Sequence, residues 1–393
     1  MLDEVKEDKL KVFSEAFLAL LNVSNNYLST VLESQVDSLE TIILLLEKIR
    51  RNKRRVHLIG MGRSRLAAKV IGEALKLKGI NVSIVGDTLS KPVNKDDTII
   101  AVSASGWTNT TCYVVEEGIR LGAKIIAFTA THGSKLDRLA DITIYLPGKS
   151  RIDGSYILRR MQDRRKTPLA PMGTIPEINA FLVGASIALS INEEDPINTF
   201  KRIAELMIEN AFRSYHSLMN KSKEDLISVI TSLSEAIKDT KIKVFFSGSG
   251  ISEIVGLMSA MRFQHLGINV LSLEDWKFRE KDDILIVISS SGESAVPLLY
   301  SKEAKRTNLR LYHITSRESS SIAKLADNKI ILQDIVPNRI EYLEYRVSEE
   351  GRVNFIPAFE FSALLTMESL VAQLADIQGI LETDMRLRHA NIE

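Results

Sequence analysis

The stretch KDDTIIAVSASG at residues 95–106 returns at residues 281–292 as KDDILIVISSSG, 186 positions later. Each copy reads as an acidic turn, then a run of Val, Ile and Leu, then a loop of small hydroxyl residues. Such a near-continuous apolar run is expected of a strand covered on both faces. Working outward, LADITIYL (139–146) is answered by LADNKIIL (325–332), again 186 on, and VHLIGMG (56–62) by VFFSGSG (244–250), 188 on. Three matches in one order at near-constant spacing mark a duplicated domain, and the period is far too long for a solenoid.

In the first copy VHLIG, NVSIV, TIIAVSA, KIIAFTA and ITIYL read as strands, with helical patterns between them such as SRLAAKVIGEALKLKG and NTTCYVVEEGIRLG. The second copy repeats this with KVFFSG, INVLSL, ILIVISS, LRLYHIT and KIIL. Alternating β and α predicts an α/β fold, a doubly wound parallel sheet in each copy. Residues 3–53 and 207–240 carry apolar positions at helical spacing, giving each sheet a helical leader, with Asn25 and Asn26 as a candidate break in the first. The 393 residues therefore divide into domains 1–206 and 207–393. No Gly/Ser/Pro-rich linker separates them, so the copies are expected to pack through helices as a covalent pseudo-dimer.

Composition narrows the partners. Lys+Arg number 51 against 50 Asp+Glu, a net charge of +1 that gives no electrostatic reason to expect nucleic acid or an anionic membrane. No run of about 18 apolar residues suggests a membrane span. The N-terminus MLDEVKEDKLKVF lacks a signal-peptide core, so the cytoplasm is the expected compartment. Cys112 is the one cysteine, and the six histidines lack metal-ligand spacing, so neither a disulfide nor a metal is expected.

The loops carry the chemistry. The first strand of copy one runs into Gly60-Met61-Gly62-Arg63-Ser64, and that of copy two into Gly248-Ser249-Gly250-Ile251-Ser252. Small residues at a strand-to-helix turn let main-chain N–H groups approach an anion. A full G-x-G-x-x-G is absent, which argues against a dinucleotide site. The second loop holds Ser103, Ser105 and Thr108 in copy one and Ser289, Ser291 and Ser294 in copy two. Capping a helix needs one hydroxyl, and three in each copy point to phosphate binding.

The S-x-S-G-x-[ST] loop after a G-x-G-x-S turn resembles the sugar isomerase (SIS) domain, over most of residues 40–205 and 225–393. Within it the sequence is most similar to 6-phospho-3-hexuloisomerases, through Pro171-Met172-Gly173-Thr174 with Glu177, through Met261–Gly267 (MRFQHLG), and through Arg388-His389-Ala390-Asn391-Ile392. That family is typically a single domain that oligomerises with sites at subunit boundaries, so fusion is a departure. The resemblance implies a sugar phosphate as ligand, bound by Gly62, Arg63, Ser64, Ser103, Ser105, Thr108, Ser252, Ser289, Ser291 and Ser294. It implies isomerisation between a 3-keto hexulose 6-phosphate and fructose 6-phosphate through an enediol, with Glu177, Glu360, His265 and His389 as catalytic candidates and no cofactor. A homodimer of pseudo-dimers is the expected assembly.

The pieces are split between copies. Copy one keeps Pro-Met-Gly-Thr and Glu177; copy two keeps Glu360, Arg262, His265 and His389, where copy one has Ala74, Leu77 and Ile203. One competent site is expected, using the loops and Glu177 of copy one and borrowing His389 and His265 from copy two. Blander readings stand beside these: Glu177 and Glu360 open helices, where the macrodipole favours a carboxylate; His389 lies near a terminus; His265 fits a core histidine. The basic run at 158–166 reads as a solvated loop, a lid or an arm, opposite the mixed-charge segment 339–346. Two other functions compete: another aldose–ketose isomerase of the tandem phosphoglucose/phosphomannose kind, and a sugar-phosphate sensor or scaffold without turnover.

Overall fold

The computed structural model describes residues 10–148, 169–335 and 355–389; the segments 158–166 and 339–346 lie outside these. Copy one comprises α1 (Lys11–Ser34), α2 (Val36–Arg51), β1 (Arg55–Ile59), α3 (Gly62–Leu77), β2 (Asn81–Ile84), β3 (Thr98–Val102), α4 (Asn109–Arg120), β4 (Lys124–Thr129), α5 (Lys135–Leu139), β5 (Ile142–Tyr145) and α6 (Thr174–Leu189). Copy two comprises α7 (Pro196–Lys221), α8 (Lys223–Lys238), β6 (Lys243–Ser247), α9 (Ile251–His265), β7 (Asn269–Val270), β8 (Ile284–Ile288), α10 (Ala295–Arg306), β9 (Arg310–Thr315), α11 (Ser321–Leu325), β10 (Asn328–Ile331), α12 (Ala358–Gln378) and α13 (Glu382–Leu387).

Each copy builds a five-stranded sheet, in the orders β2-β1-β3-β4-β5 and β7-β6-β8-β9-β10. Every pairing is parallel, and the registers correspond, with Val56 opposite Thr98 and Val244 opposite Ile284. The α/β reading and the tandem duplication hold. The reversal of strand order beside β1 and β6 opens a crevice at the carboxyl ends of the strands, the usual ligand position in such sheets.

Three local expectations need correction. Asn25 and Asn26 do not break the first leader: both face solvent, where they cost little, while Leu21, Tyr27, Leu28 and Val31 keep the buried stripe of α1 continuous. The break falls at Gln35, whose side chain accepts from the N–H of Tyr145 (2.8 Å) and donates to its carbonyl (3.1 Å). Copy two breaks at Ser222, whose hydroxyl accepts from Ile331 N–H at 2.8 Å, so each leader bends where it secures the end of an edge strand. The strand expected over INVLSL shrinks to Asn269–Val270 before a 3₁₀ turn at Leu273–Phe278. The boundary drawn at 206/207 falls inside α7.

The copies meet through helices. α6 is almost wholly buried, and residues Ala358–Ala375 of α12 are buried without exception, as helices apolar all round must be. Phe181 of α6 meets Phe361 of α12 edge to face at 5.7 Å. The leader of copy one reaches across: Phe13 N–H donates to Gln373 of α12 at 3.0 Å. One apolar core thus runs between the two sheets, while smaller cores, such as that around Ile99, Val115 and Ile125, sit on the outer faces. α3 and α9 also pack on each other at this interface.

Candidate active site

At the carboxyl ends of β1 and β3, the loops entering α3 and α4 frame a cavity of about 180 Å³. Gly62, Arg63 and Ser64 line one side, and Ser103, Ala104, Ser105 and Thr108 another. Two helix N-termini therefore face the same space, with their unsatisfied N–H groups and positive dipole ends. The Ser103 hydroxyl accepts from Gly106 N–H (3.2 Å) and contacts the Thr108 hydroxyl at 3.1 Å, and Ser105 accepts from Trp107 N–H (3.2 Å). Gly106 turns the loop at φ 66°, and a Cβ there would lie 2.1 Å from the Ser134 hydroxyl. Only glycine fits, in conformation and in space.

The far wall comes from three other places. Met172, Gly173 and Glu177 arrive from the start of α6, Arg262 from the end of α9, and His389 from beyond α13. Copy two thus completes a cavity whose hydroxyl-lined loops belong to copy one. Glu177 sits in a buried network of two guanidinium groups and two carboxylates. Arg63 Nε donates to Glu177 Oε2 at 2.5 Å, Arg63 Nη2 to Glu368 Oε1 at 2.6 Å, and Nη1 to the Met258 carbonyl. Arg262 Nη2 donates to Glu177 Oε2 at 3.3 Å and to the Thr174 hydroxyl at 3.0 Å; that hydroxyl donates to Glu368 Oε2 at 3.0 Å. The four charges sum to zero, which is how an interior holds ions that would be prohibitive singly. Burial first, then the facing Arg63, pushes Arg262 down to about 10, so it remains a cation at neutral pH.

This network leaves the two oxygens of Glu177 in different states. Oε2 accepts from both arginines, whereas Oε1 takes no hydrogen bond among the described residues and abuts Gly173, where a Cβ would lie 3.3 Å away. One oxygen is anchored and the other borders the cavity.

The structure sorts the remaining candidates. Arg63 lines the cavity, but its guanidinium is committed to Glu177, Glu368 and Met258, so what it offers a ligand is its main-chain N–H. His265 does not line the cavity. It lies behind, its ring 5.0 Å from that of His389 and its Nδ1 3.5 Å from Arg262. Burial, then the charge of Arg262, lowers its pKa to about 3, which favours the neutral ring. Glu360 lines a different cavity, with Ser252, Ser289, Ser291 and Ser294. Ile203 is in the core of α7 and stands in for no histidine. Trp107 does not line the cavity and is 53% exposed beneath Arg138. Glu368 went unread in the sequence, although a carboxylate in the middle of AFEFSALLTMESLVAQL demands a buried partner and was the available signal. Among the described residues no group of His, Cys, Asp and Glu could hold a metal, and no helix is long and apolar enough to cross a membrane.

Paired parallel sheets, each with hydroxyl-lined loops at two helix N-termini, define a tandem α/β protein. The chain belongs to the SIS domain family, whose model matches residues 48–158 and 236–334. It is 29% identical over 190 residues to the 3-hexulose-6-phosphate isomerase of Methylomonas aminofaciens, covering 44% of this chain and all of that one. It is 27% identical over 188 residues to the 3-hexulose-6-phosphate isomerase of Bacillus subtilis, covering 47% and 92%. Among solved structures, tagatose-6-phosphate ketose/aldose isomerase from Escherichia coli shares the fold along 97% of this chain and 96% of that one, with a TM-score of 0.59 and 16% identity.

Proposed function

We propose that this protein is a phosphosugar isomerase acting on a 3-hexulose 6-phosphate, with one active site formed jointly by the two copies. The observation that carries this reading is the convergence of Glu177 and His389, from opposite copies, on the cavity framed by the loops of copy one. The choice of substrate is supported by the likeness to the two 3-hexulose-6-phosphate isomerases named above. The phosphate rests against the N–H groups and hydroxyls of residues 62–64 and 103–108. Glu177 Oε1 takes the proton from C2 of the sugar, while the C3 carbonyl oxygen gains a proton, giving a 2,3-enediol. Return of the proton to C3, with loss of the O2 proton, leaves a ketone at C2, the product fructose 6-phosphate. Anchoring Oε2 on two arginines fixes the direction of Oε1, and His389 is placed to pass the hydroxyl proton.

One observation favours a second reading. The arginine–glutamate network would clamp the copies together even in a protein without turnover. A coupled assay for fructose 6-phosphate on wild type and on Glu177→Gln separates the two. Isomerisation predicts a fall of about 10³-fold with the fold kept by circular dichroism. A wild type that binds fructose 6-phosphate but makes none from the 3-hexulose ester is the scaffold.

A further inference from the structure

Of the four charged groups in the buried cluster, Arg63, Glu177 and Arg262 line the first cavity and Glu368 does not. Its side chain is 1% exposed, in the middle of a helix buried along nearly its whole length. A carboxylate there is costly unless it answers particular cations. The cations it answers are those of Glu177. Arg63 holds Glu177 through Nε and Glu368 through Nη2, at 2.6 Å to the latter. Arg262 reaches Glu177 through Nη2 at 3.3 Å and approaches Glu368 Oε2 through Nε at 3.7 Å. The Thr174 hydroxyl accepts from Arg262 and donates to Glu368. The two carboxylates therefore share both guanidinium groups.

The second cavity, closed by Glu73 and Leu77 at the end of α3, shows what goes with Glu368. There Ile251 stands where copy one has Arg63, Ala74 where copy two has Arg262, and Leu77 where it has His265. The counterpart of Glu177 is Glu360, whose Oε1 accepts from Ser252 at 3.0 Å in place of an arginine. Glu368 follows Glu360 by eight residues, and the residue eight after Glu177 is the buried Ala185. The arginine pair and the second carboxylate thus occur together at the first cavity and are apolar together at the second.

Charge gives the reason. Two guanidinium groups on one carboxylate favour its ionised form and make it a poor acceptor of a proton. A second carboxylate on the same two groups leaves Glu177 facing one net positive charge instead of two, with both hydrogen bonds to Oε2 kept. Oε1 then keeps its direction and its basicity. The other ionisable groups facing the cluster are His265 at the end of α9, His389 beyond α13, and Glu382 of α13, whose charge acts on Arg262.

We propose that Glu368 is a positioning residue for the isomerisation, which acts through Arg63 and Arg262 to keep Glu177 able to take a proton while its Oε2 stays anchored. This rests on Glu177 being the base. The test follows two readouts in Glu368→Gln and Glu368→Asp: the carbon-13 titration of the Glu177 carboxyl, identified by its loss in Glu177→Gln, and kcat against pH. In Glu368→Gln the titration midpoint is expected about 1–3 pH units lower than in the wild type. The acid limb of kcat moves the same way, and kcat at neutral pH falls about tenfold with KM little changed. Glu368→Asp, which keeps the charge, recovers most of both. The same Gln substitution is made in Arg262→Gln, where it leaves the cluster with balanced charge, so a comparison survives if Glu368→Gln alone does not fold. The midpoint is expected to fall there too. A midpoint unmoved by Glu368→Gln in either background overturns the proposal, because a merely structural Glu368 would lower the melting temperature and leave the titration in place. The carbon titration needs no turnover. A shifted midpoint in a chain that makes no fructose 6-phosphate would count against the isomerase reading, not against the coupling of Glu368 to Glu177.

Discussion

The two cavities share a cradle and differ in their walls. Around Gly106 and Gly292 the loops match in hydrogen bonds, in the sign of φ and in the serine beneath each glycine. At the helix ends the sequences part: arginine, histidine and a doubly anchored glutamate at the first cavity, isoleucine, alanine, leucine and a serine-bound glutamate at the second. The copies thus share their hydroxyl-lined loops and differ in the ionisable groups at the helix ends.

The sharpest way to break this comparison is at the glutamates. Glu177→Gln is expected to abolish turnover, whereas Glu360→Gln leaves it within a few-fold, as initial rates will show. Stability separates the copies next. Glu368→Ala strands two buried guanidinium groups, and loss of one partner from such a network costs about 3–5 kcal/mol, measurable by urea unfolding. Smaller, and equal in the two copies, is the glycine test. Gly106→Ala and Gly292→Ala each force a strained φ and a contact with serine, about 1–3 kcal/mol apiece. Only the first should also remove turnover.

A last effect is graded with pH and small over any single pH unit. His265 and His313 are both lowered to about 3 from 6.5, chiefly by burial. The unfolded chain therefore binds protons that the folded one refuses. The contribution is fully present above pH 6.5 and is lost as pH falls toward 3, at up to about 1.4 kcal/mol per pH unit for each histidine. His265→Asn should flatten part of that acid limb in unfolding curves taken at successive pH values.

Much of the fold was legible because the duplication supplied its own control. A strand seen twice, such as TIIAV and ILIVI, needs no further argument. The elements misjudged were local compromises. Asn25 and Asn26 look like a break until their solvent-facing positions are known, and the true breaks at Gln35 and Ser222 serve strand ends more than 100 residues away. The cradle was legible for the same reason as the strands. The partnership of Arg63 with Glu177 and Glu368 was not, because Arg63 opens α3 in a motif that reads as a phosphate contact. Nothing in a one-dimensional spacing shows that its side chain turns into the interface.

α3 and α9 run in opposite directions, each beginning at one cavity and ending at the other. In a homodimer of one copy, a single sequence would have to satisfy both ends of that helix. Two copies of the first domain alone would bring Arg63 against Ala74, and two of the second would bring Arg262 against Ile251. Neither homodimer rebuilds the four-charge cluster. Each half supplies one arginine and one glutamate, so the cluster exists only where both halves are present.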